Sequence, residues 1–387
     1  MTGSEVVRAF LEVRHVELES RLRGFAAAEI ASRPEPQDDD AARREAREFV
    51  GLLGAGGWLE PIGAQDLRAC CLIRECLASV SPLADAVFAL QALSATPLLI
   101  SASGPGTPAW EWLTRLLAGE AIGAFAMTEP EAGSDVAALR TRARQEGDAW
   151  MLNGRKSLIS NAGIADVYTV FASTDPEAGT RGISCFLVPA DTPGLRFTGA
   201  QVMSEPHPLG EIAFEECAVP ADHLIGVPGQ GFKLGMMTLD RLRATVAAAA
   251  CGMAARALDE ALAHAIGREQ FGRRLAEFQL IQEKIGRMAI DLAAARLLTY
   301  RAAWARDEGA DRVTLEASMA KAFATEAAQR IVDEAVQILG GRGVLAEHPV
   351  DRLYRAVRAL RIYEGTTEMQ HLIIARQLLG PQRGDGG

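Results

Sequence analysis

Lysine is scarce in this 387-residue chain: of 40 cationic residues, only Lys156, Lys233, Lys284 and Lys321 are lysines. The other cations are arginines, they form no basic run, and the formal net charge is −10. Nucleic acid and anionic membrane surfaces are therefore poor partners. Cysteine is sparse too. Cys70, Cys71, Cys76, Cys185, Cys217 and Cys251 follow no C-x-x-C pattern, which reads as buried, reduced thiols. The six histidines include no H-E-x-x-H and no pair at ligand spacing, so no metal site is expected. The alanine-rich stretch "TVAAAACGMAARALDEALAHA" is interrupted by Arg256, Asp259 and Glu260 and is too short and too charged to span a bilayer. "MTGSEVVRAFLEVRHVELES" lacks a basic segment followed by an apolar one. No secretory signal is visible there, and the expected location is cytoplasmic. G-x-G-x-x-G and G-x-x-x-x-G-K-[ST] are both missing; the glycines of "LLGAGGW" and "GVPGQG" do not have those spacings.

What is present describes a soluble globular composition, 49% hydrophobic and 23% charged with mean hydropathy +0.06, long enough for two or three domains. The pattern changes twice. Residues 1–123 carry apolar positions at three- and four-residue intervals, as in "SEVVRAFLEVRHVELESRLRGFAAAEIA", and read as a helical domain. From 124 to 226 the period falls to two. "WMLNGRKSLISN" places Asn153-Gly154 between two short strands, a hairpin signal; "DVYTVFAS", "GISCFLVP", "LRFTGA" and "GEIAFEECAVP" follow. This is a small, barrel-like antiparallel β-domain. Residues 227–387 return to the helical period, with Ile281, Ile285, Met288, Leu292 and Leu298 on one stripe, and read as a four-helix bundle. The class is α+β, in the order helices, strands, helices. Strands that do not alternate with helices argue against a doubly wound nucleotide fold.

Two stretches carry candidate chemistry. "RIYEGTTEMQ" places Glu364 on a loop entering a helix, with Gly365 letting the backbone turn tightly and "TEMQ" (Thr367 to Gln370) reading as a capping box. "AFAMTEPEAGSDVAALRT" hangs a loop of amides and hydroxyls from the β-domain, with Ser134-Asp135 placed to cap a helical turn. Taken singly, both stretches read as ordinary loops.

Together with "REQFGRRLAEFQLIQEKIGRM", "QILGGRGV" and "HPVDRLYRAVRALRIYEGTTEMQ", these stretches resemble the acyl-CoA dehydrogenase family of flavoproteins. The resemblance is continuous from about 110 to 380 and weaker before. It implies FAD lying between the β-domain and the bundle. Phe125, Met127 and Thr128 would face the flavin ring, with Leu158, Ile159 and Ser160 at the same cofactor, and Gly133 and Ser134 would approach the phosphates and the CoA moiety. Arg268 would neutralise the FAD pyrophosphate, with Phe271, Phe278, Gln279, Thr366 and Glu368 at the same cofactor. Arg268, Gln337, Gly340 and Gly341 would reach the flavin of a neighbouring subunit, which implies a homotetramer built from dimers. Asp240, Arg243, Ser134 and Gly365 would hold the acyl-CoA. Glu364 would be the base that removes the α-hydrogen as hydride leaves the β-carbon.

The chain departs from the family pattern in places. Leu242 stands where some members carry the base, Leu158 where an aromatic covers the flavin, and Ser160 where threonine is usual. "WLEPIGAQDLRACC" lacks a glycine-rich loop, and "SASGPGTPAW" lacks a charged run. The resemblance implies α,β-dehydrogenation of an acyl thioester, on CoA or a carrier protein, with electrons passing to an electron-transferring flavoprotein. The alternative is other flavin chemistry in secondary metabolism: acyl-carrier-protein desaturase, oxidase or monooxygenase. A DNA-associated, non-enzymatic relative would call for a basic extension, whereas the chain ends in "GPQRGDGG".

Overall fold

A computed structural model describes residues 3–101 and 104–380. Helices come first: α1 (Gly3–Val7), α2 (Val13–Phe25), α3 (Asp39–Ala55), α4 (Glu60–Ala64), α5 (Leu67–Val80), α6 (Pro82–Ile100) and α7 (Pro108–Leu117). Eight strands follow: β1 (Gly123–Ala126), β2 (Arg142–Glu146), β3 (Ala149–Ser160), β4 (Val167–Ser173), β5 (Ile183–Pro189), β6 (Leu195–Ala200), β7 (Leu209–Pro220) and β8 (Leu224–Ile225). The rest is helical: α8 (Gly231–Gly267), α9 (Gln279–Asp307), α10 (Thr314–Leu339), α11 (Pro349–Leu360) and α12 (Thr367–Leu379), with a small hairpin, β9 (Glu269–Gln270) and β10 (Arg273–Arg274), between α8 and α9.

The chain packs as two compact units, and the first hundred residues are shared between them. One unit holds 34–65 and 86–242. Its sheet runs β6-β7-β3-β2-β4-β5-β8, with β1 beside β4. Pairing is antiparallel except that β1 and the start of β2 run parallel to β4. The expected hairpin at Asn153-Gly154 does not form. Both residues lie inside the continuous strand β3, at a bulge opposite β7. Asn153 is held there by two bonds to Glu216, its Nδ2 donating to the carboxylate at 2.8 Å and its Oδ1 accepting the Glu216 N–H at 2.9 Å. A Cβ on Gly154 would lie 2.7 Å from the Thr141 backbone. The Asn-Gly pair serves a bulge and a close approach rather than a turn; the actual reversal is at Gly147, with φ +55°.

The other unit holds the described parts of 1–33, 66–85 and 243–387. Its core is built largely of alanine. Ala244, Ala247 to Ala250, Ala257, Ala261 and Ala265 of α8 are buried beside Ala302 and Ala303 of α9 and Ala317, Ala320 and Ala324 of α10. Small side chains let helices approach closely: a Cβ on Gly252 would lie 2.1 Å from the Glu75 carbonyl oxygen of α5. The Glu75 side chain ties α5 to α9 instead: its buried carboxylate accepts from Arg296 Nε at 2.7 Å and Tyr300 Oη at 2.8 Å. Such a buried carboxylate is tolerable because both oxygens are bonded. Helix α6 is long and apolar enough to cross a membrane, and 83% of its most apolar window is buried within the protein.

Candidate active site

In the mainly helical unit, α11 and α12 are joined by 361–366, and two consecutive residues of this loop are left-handed: Glu364 at φ +53° and Gly365 at φ +87°. For glutamate this backbone costs on the order of 1–3 kcal/mol and persists only where its surroundings over-determine it. Lys321 Nζ, from α10, donates to the Gly365 carbonyl at 2.7 Å. Gln370 Nε2, from α12, donates to the same carbonyl at 3.0 Å and to the Glu364 carbonyl at 3.2 Å. A Cβ on Gly365 would come within 2.7 Å of Gln370 Nε2, so the clamp and the turn both require glycine.

The helix start differs from the expected capping box. Thr366, not Thr367, is the N-cap, its hydroxyl accepting from the Met369 N–H at 3.3 Å. Thr367 donates instead to Glu326 at 2.9 Å, and Arg361 pairs with the same carboxylate at 2.7 Å. Gln370 reaches back to carbonyls rather than to an amide. A Thr-Thr pair offers two local starts, and a carboxylate 41 residues away in sequence engages the second.

The Glu364 carboxyl is held above its ordinary range by burial, against the opposing charges of Arg74, Lys321 and Arg243. Arg74 is itself fully buried, donating to both oxygens of Asp85 at 2.7 and 2.9 Å and to Thr245 Oγ1 at 3.0 Å. Lys321 is fully buried as well, and burial brings its ammonium down to about 8. Glu364 Oε2 is shielded from solvent and has no hydrogen-bond partner. A carboxylate with raised basicity and one unengaged oxygen is suited to accept a proton from a group that water does not reach. Arg243, from α8, is buried with Nη1 3.5 Å from Ser318 Oγ.

Elsewhere in this unit, burial and then the guanidinium charges of Arg342 and Arg268 push His264 below its ordinary value. That gathering of cations fits a diphosphate. Phe271 is left-handed at φ +53° and 94% exposed, its ring edge-on to Phe278 at 6.4 Å. Gln279, Gln337, Gly340 and Gly341 also face solvent, Gly340 ending α10 at φ +60° and ψ −134°, a backbone open to glycine. Glu368 is exposed in the first turn of α12.

The mainly β unit gathers a second set. Phe125 packs on Phe171 with centroids 4.9 Å apart, and Met127 is buried. The Thr128 carbonyl accepts from the Ser157 N–H at 3.0 Å. Buried Lys156 donates to the Met127 carbonyl at 3.1 Å and to Glu129 at 2.8 Å, and Glu129 also accepts from the Arg140 and Thr141 amides. Leu158 is left-handed and exposed, its N–H donating to Gln201 at 2.7 Å; Ile159 is buried. Ser160 Oγ lies 2.7 Å from Nε2 of His207, whose ring burial brings down to about 4. Gly133 and Ser134 are exposed, with open space around Gly133. The turn Val136–Ala138 starts at Asp135 without a side-chain cap. Asp240 is half-buried and Leu242 buried on α8.

Sequence reading missed Arg74, Asp85 and Lys321 as neighbours of Glu364, and gave Gln370 a capping role in place of its clamp on two carbonyls. Arg74 and Lys321 each left a trace: a lone cation within an apolar run, "ACCLIREC" and "ASMAKAFAT". Among the described residues, no cluster of His, Cys, Asp and Glu could hold a metal ion.

Residues 229–379 match the acyl-CoA dehydrogenase C-terminal domain, and residues 124–217 match the acyl-CoA dehydrogenase middle domain. A probable acyl-CoA dehydrogenase of Mycobacterium leprae, fadE25, is 37% identical over 378 residues, 95% of this chain and 96% of that protein. The structure of butyryl-CoA dehydrogenase from Megasphaera elsdenii superposes with TM-score 0.89 at 33% identity, covering 96% and 99% of the two chains. A glutaryl-CoA dehydrogenase from Mycobacterium smegmatis, solved in complex with FADH2, gives TM-score 0.86 at 28% identity, covering 97% and 96%. The chain belongs to the acyl-CoA dehydrogenase family. It is an oxidoreductase of that class.

Proposed function

We propose that the chain converts an acyl-CoA to its 2-enoyl thioester with Glu364 as the base and FAD as cofactor, the electrons passing on to an electron-transferring flavoprotein. The observation that carries the assignment of the base is the buried Glu364 Oε2, which has no hydrogen-bond partner beside a backbone fixed by Lys321 and Gln370. The α-proton of a thioester is weakly acidic, so donors must sit where enolate charge develops. The Glu364 N–H is the chain's own donor for that oxygen. FAD, when bound, accepts the β-hydrogen as hydride. The α-proton goes to Glu364 and the Cα–Cβ double bond forms, so the two hydrogens and their electrons are accounted for. Arg268, beside His264, would hold the diphosphate of a neighbouring subunit's FAD, and Phe125, Thr128, Leu158 and Ser160 would border the ring of the chain's own. Exposure of Arg268, Gln337, Gly340 and Gly341 supports their meeting a neighbouring subunit in a tetramer; analytical ultracentrifugation giving only monomer would remove that part.

Glu364→Gln preserves size and the backbone donor while removing the base. Acyl-CoA should still bind, and anaerobic flavin bleaching should slow by at least about 10²–10⁴-fold in stopped flow. Bleaching at the parent rate would show that the base lies elsewhere.

A further inference from the structure

We infer that Lys321 is a positioning residue for proton abstraction: by donating to the Gly365 carbonyl, its ammonium holds Glu364 in the left-handed backbone that presents the carboxylate. The inference rests on Glu364 being the base. Lys321 is fully buried and its 2.7 Å bond to that carbonyl joins α10 to the loop before α12. Without it, Gln370 alone would hold the two carbonyls, through bonds of 3.0 and 3.2 Å from one nitrogen. A charged donor binds a carbonyl more strongly than a neutral amide does, so Lys321 is the stronger half of the clamp.

Several charged groups act on it. Glu364 favours its charge, Arg243 opposes it, and Glu326 and Glu368 favour it. Glu326 is already paired with Arg361 and bonded by Thr367, and Glu368 is exposed. Arg74, bound to Asp85, acts on Glu364 from α5. Burial brings Lys321 to about 8, within reach of an ordinary pH series. Above that value the ammonium becomes a neutral amine and the clamp weakens. The charge also stabilises ionised Glu364, so removing it raises the carboxyl further.

The test uses the full-length, FAD-loaded protein. Hydrogen exchange over 361–370 in the parent, corrected for intrinsic pH dependence, should lose protection as pH rises through about 8. In Lys321→Met that protection should already be reduced at pH 7. Anaerobic flavin bleaching by Lys321→Met should be about 10–100-fold slower at pH 7, as for a misplaced reacting group, with acyl-CoA affinity little changed. Its pH profile should lack the alkaline fall near 8, and its acid limb should move upward. In Lys321→Ala, propylamine should restore part of the rate. Parent-like exchange, rate and pH profile in folded Lys321→Met would overturn the inference, while the outcome for Glu364→Gln decides separately whether Glu364 is the base. If neither variant folds, the parent's exchange series decides, and protection unchanged between pH 7 and 9.5 would refute it.

Discussion

Lys156 and Lys321 are both fully buried, and burial brings both ammoniums to about 8. They are nonetheless used differently. Lys156 contacts a carboxylate directly, Glu129 at 2.8 Å, and that carboxylate is saturated by two further backbone donors. The pair is closed and fixes the loop after β1. Lys321 contacts a carbonyl, and the carboxylate that most favours its charge keeps an oxygen without a partner. Equal basicity thus hides two arrangements, and the hydrogen-bond partner, not the titration, separates a staple from a group held for chemistry.

The comparison breaks most visibly in Lys156→Met. Removing one member of a buried pair strands the other, at about 3–5 kcal/mol; Glu129 keeps its amide donors, which places the cost at the lower end. Urea unfolding should show it, and a loss no larger than that of Lys321→Met would erase the distinction. The pH dependence comes next. The folded value of Lys321, about 8, lies below the ordinary 10.5, so the unfolded chain binds more protons between those values and stability rises with pH there. Relative to Lys321→Met, the parent should gain about 3 kcal/mol from pH 8 to 10.5, at 1.36 kcal/mol per unit. Urea midpoints measured across that window would reveal a missing gain. Smallest is Gln370→Leu. It removes two weaker bonds but also a buried amide oxygen with no hydrogen-bond partner, so about 1 kcal/mol is expected, read as a shift in melting temperature with the pH profile intact.

The order of helices and strands was legible because period and turn chemistry are local properties. Glu364 was singled out through its neighbours Tyr363, Gly365 and Thr366, which carry the family resemblance, and its role as base is our proposal. The bulge at Asn153-Gly154 was not, because the same dipeptide suits a hairpin and the deciding contacts, Glu216 and Thr141, lie outside the window. The cap was misplaced by one residue for the same reason, Glu326 being remote in sequence. Arg74, Asp85 and Lys321 came from α5, α6 and α10 to surround one carboxylate. Only tertiary packing joins them; their trace in the sequence was a charge where an apolar residue would have been ordinary.

Lysine scarcity gives the molecule an unusual response to acylating reagents. Lys156 and Lys321 are shut away, Lys284 is half-buried against Glu334, and Lys233 stands exposed on α8. An amine-directed dye or surface-coupling reagent would therefore find essentially one reactive lysine, in a protein whose substrates are themselves acyl donors. Slow labelling at Lys321, whose amine is largely unprotonated above pH 8, would count how often the loop around Glu364 comes open.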